Sequence, residues 1–151
     1  DTIMIKDFIY ICLADDDEDD RLFFIDAFSE LKIKTRVNTF NDGVELMDYL
    51  LNPDSILPNV LFLDLNMPRK NGVECLLEIK LIPELQNLPI IVFSTSIDSN
   101  VVDSVYEKGV ICYIQKPCDF SNLKKVIYDA LIITNKNNYK QPTRANFILQ
   151  A

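Results

Sequence analysis

The sequence predicts an α/β domain: a doubly wound parallel sheet with helices on both faces. Two observations carry this reading. Short apolar runs alternate with segments of helical period, and acidic, hydroxyl and lysine residues recur immediately after those runs. With 151 residues, 48% of them hydrophobic, the chain has material for one ordinary domain with a real core and no room for a second.

The first strand is read at Phe8 to Leu13, followed by a helix with Phe24, Ala27, Phe28 and Leu31 at helical spacing. Thr35 to Phe40 alternates apolar and polar residues, which suits a strand at the sheet edge. Val60 to Leu63 and Ile90 to Phe93 are continuously apolar, as central parallel strands require. Between them lie two helices. One starts near Asp42, whose carboxylate caps it with Glu45 three residues on, and carries Leu46, Met47 and Leu50. The other follows Asn71-Gly72 and carries Val73, Leu76 and Leu77. A fourth helix, with Val102, Val105 and Tyr106, ends at Gly109, the residue suited to a left-handed helix end. Cys112 to Ile114 forms a fifth strand. The last helix follows Asp119 and has the cleanest stripe: Leu123, Val126, Ile127, Ala130 and Leu131. From Asn135 the pattern fails. The domain is therefore placed at 1–134, with 135–151 a mobile tail in which Phe147-Ile148-Leu149 retains the capacity to dock.

Composition narrows the chemistry. The formal charge of −8 argues against nucleic acid, whose binding needs Lys and Arg against phosphates. No run of about eighteen apolar residues is present, and Asp1 to Asp7 lacks the order of a signal peptide, so the expectation is a soluble cytoplasmic protein with no membrane contact. Cys12, Cys75, Cys112 and Cys118 form no C-x-x-C pair, which disfavours zinc or a disulfide framework. With no histidine, chemistry must run on carboxylates, hydroxyls and lysine.

Those groups sit where such a sheet places ligands, just beyond the carboxyl ends of the strands. Asp15-Asp16-Asp17 follows the first strand, Asp64-Leu65-Asn66 the third, Ser94-Thr95-Ser96 the fourth and Lys116-Pro117 the fifth. The flavodoxin-like strand order 2-1-3-4-5, which the handling of ligands at such switch points illustrates generally, would bring Asp15, Asp16 and Asp64 together. Carboxylates about 4 Å apart repel by roughly 4 kcal/mol per pair at an effective dielectric near 20, so a cation is required among them. Mg²⁺ suits hard oxygen donors and phosphate oxygens. Taken singly, each residue has a plainer reading. Asp64 could shape a turn, Ser94 could satisfy a backbone group, and Lys116 could be a surface charge. Asp17, Glu18, Asp19 and Asp20 are read as a solvated acidic helix start, favourable at the positive end of the dipole.

Together the motifs resemble the receiver domain of bacterial two-component response regulators, over about Ile9 to Ile133. The segment Asp64-Leu65-Asn66-Met67-Pro68, with Gly72 soon after, is similar to the family's signature loop. The resemblance implies that Asp64 is the phosphoacceptor and that Asp16 and the Asn66 carbonyl bind Mg²⁺ directly, with Asp15 acting through water. It further implies that Lys116 holds the phosphoryl group, that Ser94 donates its hydroxyl to it, and that Tyr113 is the aromatic that moves inward on activation. A cis Lys116-Pro117 bond is common in the family. The hydroxyl position is Ser rather than the commoner Thr, which keeps the donor. The segments Leu51 to Asn59 and Leu81 to Leu88 resemble a stand-alone subgroup that includes partners of bacterial phytochrome kinases.

The implied function is a single-domain switch rather than an enzyme acting on other substrates: it catalyses only its own Mg²⁺-dependent phosphorylation and dephosphorylation. Its phosphoryl donor is a histidine kinase or histidine phosphotransfer protein, and its output passes through helix four, strand five and helix five to a downstream protein or a phosphorylation-dependent homodimer. A receiver-like interaction module that works without phosphorylation is the alternative. A phosphatase of the haloacid-dehalogenase type is disfavoured, because the position two after the nucleophile is Asn66 rather than an acid, and no cap domain fits.

Overall fold

The computed structural model describes residues 8–136 and 140–150. β1 (Phe8–Ala14), β2 (Lys34–Phe40), β3 (Val60–Leu63), β4 (Ile90–Ser94) and β5 (Cys112–Gln115) pair in parallel in the order 2-1-3-4-5, as expected. The central strands β3 and β4 are buried at every residue, whereas the edge strand β2 is mostly half-exposed, which explains its alternating sequence.

The helices divide between the two faces. α1 (Glu18–Ser29) and α5 (Phe120–Lys136) cover one, packing Phe24, Phe28, Val126 and Ile127 against Ile11, Leu13, Phe62 and Phe93. α2 (Gly43–Leu51), α3 (Gly72–Leu81) and α4 (Ser99–Glu107) cover the other with Leu46, Leu76, Ile79, Val102 and Val105. Each start is capped by an acid or amide. Asp17, Asp42, Asn71 and Asp98 accept from backbone N–H groups in the first turns of α1 to α4, and Asn71 forms a reciprocal box with Glu74. Asp42 caps α2 as expected, but Glu45 reaches one residue further back, to the N–H of Asn41. Gly109 takes a φ of 89°, the left-handed conformation that closes α4. Among the described residues no helix is long and apolar enough to cross a membrane.

The carboxyl end differs from expectation. α5 runs past residue 134 to Lys136, and Phe147-Ile148-Leu149, the stretch with the capacity to dock, does so: it supplies β6 (Ile148–Leu149), so the sheet has six strands rather than five, in the order 2-1-3-4-5-6. The physical reason is an open strand edge with an apolar socket beside it. The Tyr113 N–H of β5 donates to the Phe147 carbonyl at 3.0 Å. The Phe147 side chain is fully buried, with its ring edge-on to Tyr106 and Tyr113. Gln141 donates to the carbonyls of Tyr106 and Val110, at and just beyond the end of α4, while Tyr106 donates to the carbonyl of Pro142.

Candidate functional site

Strand pairing brings the acidic residues together. The Asp64 N–H donates to the Ala14 carbonyl and the Asp15 N–H to the Phe40 carbonyl, each at 3.0 Å, so β1, β2 and β3 end flush. α3 approaches this rim closely at Gly72, where a Cβ would lie 2.3 Å from the Asp64 carbonyl oxygen; only glycine lets the helix start there. The loop between β3 and α3 is held from the side as well. Arg69, at a left-handed φ of 64°, pairs with Asp42 at 2.9 Å, and the Gly43 N–H donates to the Lys70 carbonyl.

Asp15, Asp16 and Asp64 each offer a carboxylate oxygen, and these oxygens lie within 4.8 Å of one another. Asp15 and Asp64 are buried and Asp16 is exposed, which leaves the cluster open on one side. Three hard anionic donors with access to solvent fit a hard divalent cation. Asn66 is exposed at the mouth of the cluster, its N–H donating to Asp64 Oδ1 at 3.1 Å.

Lys116 supplies the positive charge. Its Nζ lies 2.6 Å from Asp15 Oδ2, 2.9 Å from Asp20 Oδ2 and 3.2 Å from Asp64 Oδ2, and 5.3 Å from the centre of the Phe93 ring. Burial works against the ammonium, but the hydrogen bonds to Asp15 and Asp20 and the charge of Asp64 prevail, so its pKa rises. The Asp15 pKa rises as well, but here the shift works against the charged form: burial pushes its carboxyl up to about 6, despite the Lys116 contact that favours its charge. The Lys116-Pro117 bond is trans, in contrast to the cis bond common in the family the sequence resembles.

Ser94 ends β4 fully buried, and its carbonyl accepts from the Lys116 N–H at 2.8 Å. Tyr113 points inward, 1% exposed, and its hydroxyl donates to the Ser96 carbonyl at 2.6 Å. Burial raises the pKa of this phenol, so it is a neutral hydrogen-bond donor. The thiols of Cys12, Cys75 and Cys112 are buried and pushed up to about 11, 12 and 12, which makes them inert packing groups.

Asp20 departs from the sequence reading. The sequence places it in a solvated helix start, yet its carboxylate accepts a hydrogen bond from Lys116. Side chains in a first helical turn lean back towards the helix N-terminus, here towards the ends of β1 and β3, and that direction is the signal that could have marked it.

Residues 11–128 match the family model of the response regulator receiver domain. The chain belongs to that family. Response regulator Rcp1 of Synechocystis sp. is 32% identical over 121 residues, covering 78% of this chain and 82% of Rcp1. The crystal structure of the Mn²⁺-bound form of Rcp1 superposes with a TM-score of 0.74 at 31% identity, over 80% of this chain and 90% of that one. The phosphorylated cyanobacterial phytochrome response regulator RcpA gives 0.76 at 31% identity, over 90% and 99%. The narrower resemblance to phytochrome-kinase partners is matched by RcpA, a phytochrome response regulator. As a response regulator receiver the chain is of the switch class rather than an enzyme of metabolism, and its acidic pocket is of the kind that holds Mg²⁺ or Mn²⁺ in this family.

Proposed function

We propose that the chain accepts a phosphoryl group on Asp64 from a histidine kinase or histidine phosphotransfer protein and signals through its protein surface. The observation that carries the reading is the convergence of Asp15, Asp16 and Asp64 on one point, with Lys116 bonded to the same carboxylates. That RcpA is described as phosphorylated and Rcp1 as Mn²⁺-bound supports it by kinship.

In this reading Asp64 Oδ attacks the phosphorus of the donor, and the bond from phosphorus to the donor nitrogen or oxygen breaks as the acyl phosphate forms. Asp15, Asp16, Asp64 and the Asn66 carbonyl would hold Mg²⁺, which would supply neutralisation of charge on the transferring oxygens. Lys116 turns its ammonium to a phosphoryl oxygen as a compact point charge. The Ser94 hydroxyl donates to another, and the inward Tyr113 ring is stabilised with that movement. The chain itself catalyses phosphorylation and dephosphorylation of Asp64. Output runs through α4, β5 and α5, on whose β5 edge β6 lies, to a downstream protein or to a second copy that joins on phosphorylation.

The test is intact-mass measurement after incubation with Mg²⁺ and a small acyl phosphate. One phosphoryl group is expected on the parent chain with metal, none with a chelator and none on Asp64→Asn. Equal labelling of the variant would overturn the assignment of Asp64.

A further inference from the structure

Asp20 touches Lys116 but is not one of the three carboxylates that approach one another closely enough to share a cation. An ammonium group has three N–H donors. Here they face Asp15 at 2.6 Å, Asp20 at 2.9 Å and Asp64 at 3.2 Å, so Asp64 holds the lysine most loosely. A phosphoryl oxygen on Asp64 gains the ammonium only by displacing one of these contacts. A cation held by Asp15, Asp16 and Asp64 offsets their charge and weakens their pull on the lysine. Asp20 stands outside that set, so the cation does not offset its pull.

The backbone of Asp20 is also held in place. Its N–H donates to the capping carboxylate of Asp17 at 3.0 Å, in the first turn of α1, where the helix dipole favours an ionised acid. Its side chain is 38% exposed, so the carboxylate stays solvated on one side while it grips a lysine side chain that is 8% exposed.

We propose that Asp20 is a positioning residue that competes with the phosphoryl group for the Lys116 ammonium and so sets how tightly the phosphorylated state is held. The proposal rests on the phosphoacceptor reading of Asp64. It makes Asp20 a restraint on the active form: once the cation has weakened the pull of Asp15 and Asp64, Asp20 is the contact that holds the ammonium back from the phosphoryl oxygen.

The experiment is calorimetric titration with beryllofluoride, a phosphoryl mimic, at saturating Mg²⁺, for the parent chain, Asp20→Asn, Asp20→Glu, Lys116→Met and the double variant Asp20→Asn with Lys116→Met. Because the cap is made by Asp17 and the Asp20 backbone, these changes leave α1 intact. Asp20→Asn is expected to bind about three- to five-fold more tightly, the range of a partly exposed ion pair. Asp20→Glu, which keeps the charge, stays close to the parent, and the gain disappears when Lys116 is Met. Equal or weaker binding by Asp20→Asn overturns the proposal. So does an undiminished gain without Lys116, which would mark a general charge effect. A parent chain that fails to bind beryllofluoride with Mg²⁺ would overturn the phosphoacceptor reading itself.

Discussion

The acidic rim and the outer edge of β5 lie beside each other and are held by opposite means. At the rim, Asp15 and Asp64 are buried with a single lysine between them, and the charge of Asp15 is opposed by its burial. At the edge, Phe147 closes an apolar socket against Tyr106 and Tyr113, and Gln141 satisfies the carbonyls at the end of α4. The rim costs stability in exchange for a place where charge is taken up, and the edge contributes stability by removing apolar surface and open hydrogen-bonding groups from water. Tyr113 belongs to both: its hydroxyl reaches Ser96 beside the rim and its backbone N–H pairs with Phe147 at the edge.

The comparison is broken most forcefully at Phe147. Phe147→Ala removes a fully buried ring and should cost about 3 kcal/mol in urea unfolding, the low end for such a truncation, since the short segment carrying it can undock rather than leave a rigid cavity. Mg²⁺-dependent beryllofluoride binding should survive, because no rim residue is altered.

Asp15→Asn sharpens the other half. Burial pushes the Asp15 carboxyl up to about 6 in the folded state, above its ordinary value of 3.8, so the folded state holds the proton more tightly. Stability therefore falls as pH rises from about 4 to about 6, and the cost is fully present above that window. In chelator at pH 7.5 the variant should be more stable by up to about 3 kcal/mol, the worth of a shift in which the Lys116 contact is already counted, and the gain should vanish towards pH 4. Denaturant melts across that range measure it, and the same variant should bind Mg²⁺ more weakly.

The smallest effect belongs to Arg144→Ala. Arg144 pairs with Asp103 at 2.9 Å across the edge, but both side chains are substantially exposed. The loss should stay below about 1 kcal/mol and shrink further in high salt, as read from the same unfolding curves.

The contrast also explains what was legible beforehand. Asp15, Asp16, Asp64, Ser94 and Lys116 each stand at or just beyond the end of an apolar run, so locating the strands located the site. The order 2-1-3-4-5 followed from strand–helix alternation combined with the resemblance to receivers. β6 was hidden because two residues, Ile148 and Leu149, are too few to show a period. Its anchor, Phe147, depends on a socket that Tyr106 and Tyr113 form only after folding. Asp20 was hidden for a related reason: its partner lies 96 residues away, and a run of acids at a helix start looks solvated until the strand end beside it is in place.

The central claim is chemical, that the rim makes an acyl phosphate at Asp64, and reductive trapping tests it most directly. The chain is phosphorylated with Mg²⁺ and a small acyl phosphate, reduced with borohydride, digested and sequenced by mass spectrometry. An acyl phosphate at Asp64 is reduced to the alcohol, so homoserine should be found at position 64 and at no other aspartate. Homoserine at Asp15, Asp16 or Asp20, or a stable phosphate on Ser94 with residue 64 unchanged, would contradict the account.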